Sequence, residues 1–175
     1  MNTNNMNDMN DTNNIKSIRP AMLIGFLISA GMMGVAFIFQ YVLYLEPCPL
    51  CSVQRMVVIA FGIVFLIGFI QGAKGWGRRV YGLLLTLISI GGLVVAGRHT
   101  WLQHLPKDKV PECGPGLDYW MKNLPTNDVI QKIFEGSGEC AEIVWSFLGL
   151  SIPEWSLIAF VFFLIYSLKL LFLGR

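Results

Sequence analysis

Four cysteines carry the chemistry open to this chain: Cys48, Cys51, Cys113 and Cys140. Cys48 and Cys51 form a C-x-x-C unit within Glu46-Pro47-Cys48-Pro49-Leu50-Cys51. Sulfurs that close can cycle between dithiol and disulfide. Cys113 and Cys140 have 26 residues between them and stand among Pro111-Glu112, Gly114-Pro115-Gly116 and Gly136-Ser137-Gly138-Glu139. Such Pro/Gly-rich, charged surroundings predict a mobile, exposed segment, in which an outside thiolate can reach one sulfur of a disulfide. Four cysteines allow three connectivities. Proximity pairs Cys48 with Cys51 and leaves Cys113 for Cys140, although the resting connectivity stays open.

The first pair has an unusual address. The prolines oppose helix before residue 49, so Cys51 falls in or near the first turn of a helix whose unpaired N–H groups and positive end favour a thiolate. Arg55 lies four residues on, on the same helical face and one turn deeper toward lipid. An arginine in an apolar segment costs about 2.5–3.5 kcal/mol at mid-helix and less near the surface, so it calls for a polar partner. The competing reading is an inert staple with a snorkelling arginine. Closing so short a loop removes little unfolded-chain entropy, which makes stability a weak reason for that pair. A zinc site is disfavoured because the one C-x-x-C lacks a second pair at matching spacing, and no metal is expected. A haem would want histidines at mid-span, whereas His99 and His104 fall near a span end.

The elements that hold these residues are apolar helices. The 175-residue chain is 54% hydrophobic and only 14% charged, with net charge +2, too few charges to clothe a water-facing surface. Its basic residues are scattered, which excludes nucleic acid as a partner. Apolar stretches, uncharged but for Lys169 near the end of the last, predict spans at about 21–45, 56–73, 80–97 and 155–173, each near the ~20 residues that cross ~30 Å of hydrocarbon. Residues 1–19, rich in Asn, read as a disordered cytoplasmic tail, and 20–175 as a single four-helix membrane domain. The fold class is therefore an all-α membrane protein, a four-transmembrane-helix bundle. Its loops at about 46–55 and 98–154 share one side, the second forming a long periplasmic loop between helices 3 and 4.

Seven basic residues and two acids fall on the side of the termini, against six basic residues and nine acids on the other. The positive-inside rule therefore puts both termini in the cytoplasm and the cysteines outside, on the oxidising face of a bacterial membrane. Gly31, Gly34, Gly91 and Gly92 are expected to permit close helix contact. The aromatic stretch 144–155 predicts a short helix lying in the head-group interface.

With Pro-Cys-x-x-Cys followed by Arg55, Glu112-Cys113-Gly-Pro-Gly, Gly136-Ser-Gly-Glu-Cys140-Ala and Phe147-Leu-Gly-Leu-Ser-Ile-Pro-Glu-Trp155 in place, the chain from about residue 20 to its end resembles the disulfide bond formation protein B (DsbB) family of bacterial inner membranes. That resemblance implies a thiol:quinone oxidoreductase. A reduced DsbA-like thioredoxin-fold partner would attack Cys113, freeing Cys140. Electrons would pass to Cys48–Cys51 and on to ubiquinone or menaquinone from the membrane pool. It also implies cofactor-binding roles for Arg55, Cys51 and His99, the last at the outer end of the third span. Gln54 stands where an acid occurs in a well-known member, which removes any proton role for that position. A vitamin K epoxide reductase-like enzyme is disfavoured because its C-x-x-C belongs at the end of a later span, and a disulfide-stapled assembly protein is the non-enzymatic alternative.

Overall fold

The computed structural model describes residues 3–72, 76–112, 114 and 117–172. Four long helices dominate it: α1 (Thr3–Tyr41), α2 (Pro49–Gln71), α3 (Trp76–Gln103) and, last in the chain, α6 (Ile152–Phe172). Between α3 and α6 come two short helices, α4 (Leu117–Asn123) and α5 (Thr126–Glu135), and a two-stranded hairpin, β1 (Ser146–Phe147) with β2 (Leu150–Ser151). The membrane-competent lengths are Arg19–Tyr41, Pro49–Gln71, Trp76–Gln103 and Ile152–Phe172, with mean hydropathy of 2.1 to 2.3. All four are long and apolar enough to cross a bilayer.

Three of these helices reach past the expected limits because polar groups at their ends find partners. α2 starts at Pro49, seven residues earlier than a count of uncharged residues suggests. Proline suits the first helical position, and Arg55 is satisfied inside the helix by groups of α1. α3 continues through Arg98 and His99 to Gln103, since the Arg98 guanidinium donates to the carbonyls of Phe134 (2.9 Å) and Glu135 (3.2 Å) at the end of α5. A cation on those orphan carbonyls complements the α5 dipole and ties the loop to the bundle. α6 opens with a capping box: Ser151 N–H donates to Glu154 Oε2 at 2.6 Å. α1 continues N-terminally through the Asn-rich segment to Thr3, where disorder was expected. Extending an existing helix adds only propagation, without a second nucleation.

The core is aromatic. Phe61 of α2 stacks on Phe163 of α6 with ring centroids 4.6 Å apart, Phe65 tilts against the same ring at 6.0 Å, and Met22 and Leu85 close the cluster. α3 packs chiefly on α6, and α1 on α2. Across the first interface the hydroxyls of Thr86 and Ser167 lie 3.2 Å apart, a polar link in an apolar layer. Of the glycines expected at helix contacts, only Gly92 is at one: a Cβ there would meet Phe160 at 2.7 Å. Gly31, Gly34 and Gly91 face open space, and the close approaches are instead at Gly25 against Phe65 and Gly82 against the Leu171 backbone. Which side of a helix meets its neighbour depends on packing, which composition does not encode.

The segment 144–155 is not an interfacial helix. Leu148 (φ 54°) and Gly149 (φ 80°) both take left-handed backbone, which makes the tight turn of a β-hairpin and breaks any helix there. Trp145 and Phe147 stack at 5.9 Å, Trp145 also meets Phe39 of α1 at 4.8 Å, and Trp155 Nε1 donates to the Phe147 carbonyl at 3.2 Å. The aromatic stretch thus packs on the bundle end itself.

Candidate functional site

Cys48 is the N-cap of α2, in extended conformation, and its sulfur accepts the Cys51 N–H at 3.4 Å. The proline on either side holds that extended geometry and delivers the chain into the helix. The expectation that Cys51 enters the first helical turn holds, but the N-terminal donor is directed at Cys48. Cys48 is buried and Cys51 half-buried.

Two further groups converge on Cys48 from distant segments. His99, buried to 2% exposure near the end of α3, places Nε2 at 3.7 Å from Cys48 Sγ. Its Nδ1 lies 3.2 Å from the amide nitrogen of Gln54, itself buried on α2. Cys140, fully buried in a 3₁₀ turn (Gly138–Cys140), hydrogen-bonds through its side chain to Cys48 and packs with Leu50, Val95 and Leu102. That bond, burial and the nearby Cys48 sulfur push the Cys140 thiol well above the ordinary thiol range. The Ser137 hydroxyl stands 3.6 Å from Cys140 Sγ.

The turn is held by its neighbours. Gly136 ends α5 at φ 80° so close to Leu102 that a Cβ would lie 2.4 Å from it, and Gly138 N–H donates to the Glu112 carbonyl at 3.3 Å. Cys48, Cys51 and Cys140 are free thiols. Cys113 lies outside the described residues.

Arg55 has the polar partners its position demands. Nη1 donates to Gln40 Oε1 and Nη2 to the Ala36 carbonyl at 3.2 Å, both on α1. The guanidinium lines an apolar cavity of about 500 Å³, walled by Met32, Phe39, Val58, Trp145 and Trp155, that also contains Cys51. This volume is in the range of small-molecule sites, and the lining is apolar with a few polar groups, as such sites require. A second cavity of about 870 Å³ holds Cys48, His99, Gln103, Glu139 and Glu142, and Cys51 lines this one too. Cys51 therefore stands in the wall between an apolar chamber and a polar one. Cys48 faces only the polar side.

The structure thus brings together Cys48, Cys51, Cys140 and His99, and separates His99 from Arg55: the histidine serves the sulfurs and lines the polar cavity, whereas Arg55 lines the apolar one. His104 is a surface residue 3.8 Å from Glu154. Sequence reasoning missed Gln40 and the Gln54–His99 bond. The available signal was an amide in each of two otherwise apolar stretches, since a polar side chain at such a depth needs a partner.

Comparison with known proteins converges on one family. The family model for disulfide bond formation protein DsbB matches residues 18–170. The chain is 48% identical over 152 residues to disulfide bond formation protein B of Nitrosococcus oceani, covering 87% of this chain and 90% of that one. It is 51% identical over 156 residues to its counterpart in Chromohalobacter salexigens (89% and 91%) and 50% identical over 143 residues to that of Marinobacter nauticus (82% and 85%). The matched span takes in every cysteine, the whole of α2 and α3, the membrane-competent part of α1 and nearly all of α6, so the chain belongs to the DsbB family of four-helix membrane proteins.

Proposed function

We propose that the protein is a membrane thiol:quinone oxidoreductase that reoxidises a DsbA-like thioredoxin-fold dithiol in the periplasm. The observation that carries this reading is the position of Cys51 in the wall of both cavities, with Cys140 in the same buried cluster as Cys48. A sulfur relay needs a donor side open to water and an acceptor side open to lipid, and these residues are distributed accordingly.

The relay starts from Cys48–Cys51 and Cys113–Cys140 disulfides. A partner thiolate attacks Cys113, forming a mixed disulfide and expelling Cys140. Cys140 then attacks Cys48, which shares its buried cluster. A Cys48–Cys140 bond forms, Cys48–Cys51 breaks, and the electron pair leaves on Cys51. The partner's second thiolate resolves the mixed disulfide and departs oxidised. Cys113, now free, attacks Cys140, restoring Cys113–Cys140 and releasing Cys48. Two electrons now reside on the Cys48, Cys51 pair.

His99 Nε2, beside Cys48, is placed to donate a hydrogen bond to the sulfur as it is released, with Gln54 fixing the ring. A quinone in the apolar cavity would supply the two-electron, two-proton acceptor that lets Cys48–Cys51 reclose. Arg55 and Cys51 are the residues that would hold it, the guanidinium offering charge-assisted hydrogen bonds to a carbonyl oxygen. Ubiquinone and menaquinone share the carbonyls and apolar tail this cavity suits. The charge bias of the connections supports the inner membrane, with termini in the cytoplasm and the cysteine end in the periplasm.

The experiment is a trap. The unaltered protein, mixed with a reduced DsbA-like partner whose second active-site cysteine is replaced, should accumulate a covalent complex through Cys113, whereas Cys140→Ala, which offers no disulfide at Cys113 for a thiolate to open, should form none, keep Cys48–Cys51 oxidised and leave quinone absorbance constant. Sustained turnover by this variant would defeat the relay.

A further inference from the structure

We propose that Glu46 carries the proton that must accompany the electron pair, taking up in the polar cavity the proton released at Cys48 and giving it to a quinone oxygen in the apolar cavity. This inference rests on the proposed relay and concerns its last step. There the Cys48 and Cys51 thiols close to a disulfide, so two protons leave sulfur and two are needed on the quinone oxygens. The places of departure and arrival differ. Cys51 lines both cavities and can lose its proton on the acceptor's side, whereas Cys48 lines only the polar one, so its proton has to change chambers. A bare charge does not cross an apolar lining unaided, and a group that takes the proton on one side and yields it on the other removes that cost.

Among the residues that line both cavities, only Glu46 and Cys51 titrate, and Cys51 supplies the electrons. The other polar groups of the apolar wall are unsuited to the task. The guanidinium of Arg55 does not give up its proton in a protein. Ser156 donates to the Ile152 carbonyl at 3.1 Å, and the Gln54 amide is engaged by His99 at 3.2 Å. His99, Glu139 and Glu142 line the polar cavity alone. Glu46 is exposed in the connection between α1 and α2, and among the described residues no hydrogen bond or ion pair holds its carboxylate. Pro47 stiffens the backbone that follows, so the flexible glutamate stem supplies the movement between chambers.

The step balances. Cys48 loses its proton to the Glu46 carboxylate, its sulfur closes on Cys51, and the electron pair passes from Cys51 to the quinone. Glu46 then returns the proton to a quinone oxygen and ends as the carboxylate it was, while the second proton is the one that leaves Cys51. Electrons and one proton thus travel by separate residues that share the same two walls.

The test uses the full-length chain in detergent with Glu46→Gln, which keeps size and polarity but cannot carry the proton, and Glu46→Asp, which can. Proton transfer by a positioned group contributes typically 10²–10⁴-fold, so stopped-flow quinone reduction by the reduced Glu46→Gln protein should be slowed about 100-fold or more, with Glu46→Asp within about tenfold of the parent. Quinone affinity, read from tryptophan fluorescence without any thiol donor, should be parental in both variants. Reoxidation of the quinone-free dithiol by a small soluble disulfide, which requires no proton to change chambers, should also be parental. Added formate, a small proton carrier, should speed Glu46→Gln and leave the parent unchanged. Quinone reduction by Glu46→Gln within about threefold of the parent, or a loss matched by weaker quinone affinity and untouched by formate, would overturn the role of Glu46. An unaltered protein that reduces quinone beside an equally fast Glu46→Gln sinks this inference alone, whereas an unaltered protein that reduces no quinone sinks the relay and this step with it.

Discussion

Arg55→Met removes the cation of the apolar cavity while keeping an unbranched stem of similar bulk. In the parent, two guanidinium nitrogens are engaged by Gln40 and the Ala36 carbonyl of α1, which fixes the head group beside Cys51. A hydrogen bond from a charged donor contributes about 1.5–3 kcal/mol, and each 1.4 kcal/mol is tenfold. Losing one such bond to a quinone carbonyl should therefore lower kcat/KM for quinone about 10- to 150-fold. The effect should appear mainly in KM if the bond is equally strong in ground and transition states. Gln40→Ala keeps the charge and the bond to the quinone and loosens only one anchor of the guanidinium, and a positional effect on the scale of one ordinary hydrogen bond, about 0.5–1.5 kcal/mol, predicts a loss of only about 2- to 10-fold. The assay follows quinone absorbance by stopped flow at saturating reduced partner, with donor-side exchange scored in parallel by trapping free thiols. Quinone kinetics within about twofold of the parent, in an Arg55→Met protein with parental helix content, would refute the assignment and leave Arg55 as a clamp between α1 and α2.

Other consequences follow from the same geometry. Its bond to Cys48 and its burial hold the Cys140 thiol well above the ordinary thiol value of about 8.5, so that bond is fully present below that pH and is lost only as pH rises through the folded value; iodoacetamide alkylation of Cys140 in the reduced protein should stay slow at about pH 9, and a half-maximal rate at or below that pH would contradict it. Gly25→Leu should lower the melting temperature through overpacking worth about 1–3 kcal/mol, because a Cβ already falls 2.6 Å from Phe65, whereas Gly31→Leu, facing open space, should change stability by less than about 0.5 kcal/mol; equal melts would disprove the packing. Gly149→Val should strain the hairpin by about 1–2 kcal/mol through its positive φ alone, since a Cβ there meets nothing, and should alter the fluorescence of Trp145 and Trp155; an unchanged spectrum and melt would mean the turn tolerates a side chain.

What could be read from the chain without its fold was whatever depends on neighbours in sequence. Four apolar stretches gave the four crossings, because hydrocarbon thickness sets a length that composition reports directly. Cys48, Cys51 and Arg55 were legible because helical spacing fixes residues three or four apart on adjoining turns. The hairpin at 146–151 was misread as helix because aromatic content signals an interface but not a backbone conformation, and the Leu-Gly turn was overlooked. Helix ends were misplaced at Pro49 and Gln103 because counting uncharged residues ignores the remote carbonyls and amides that satisfy Arg55 and Arg98. Tertiary structure alone decided that Cys140 rests on Cys48, that His99 turns to the sulfurs and Arg55 to the apolar chamber, and that Gln54 holds the histidine. Those contacts join residues 45 to 92 positions apart. Their geometry is set by how three helices and one buried turn pack against each other, which no local pattern of residues contains.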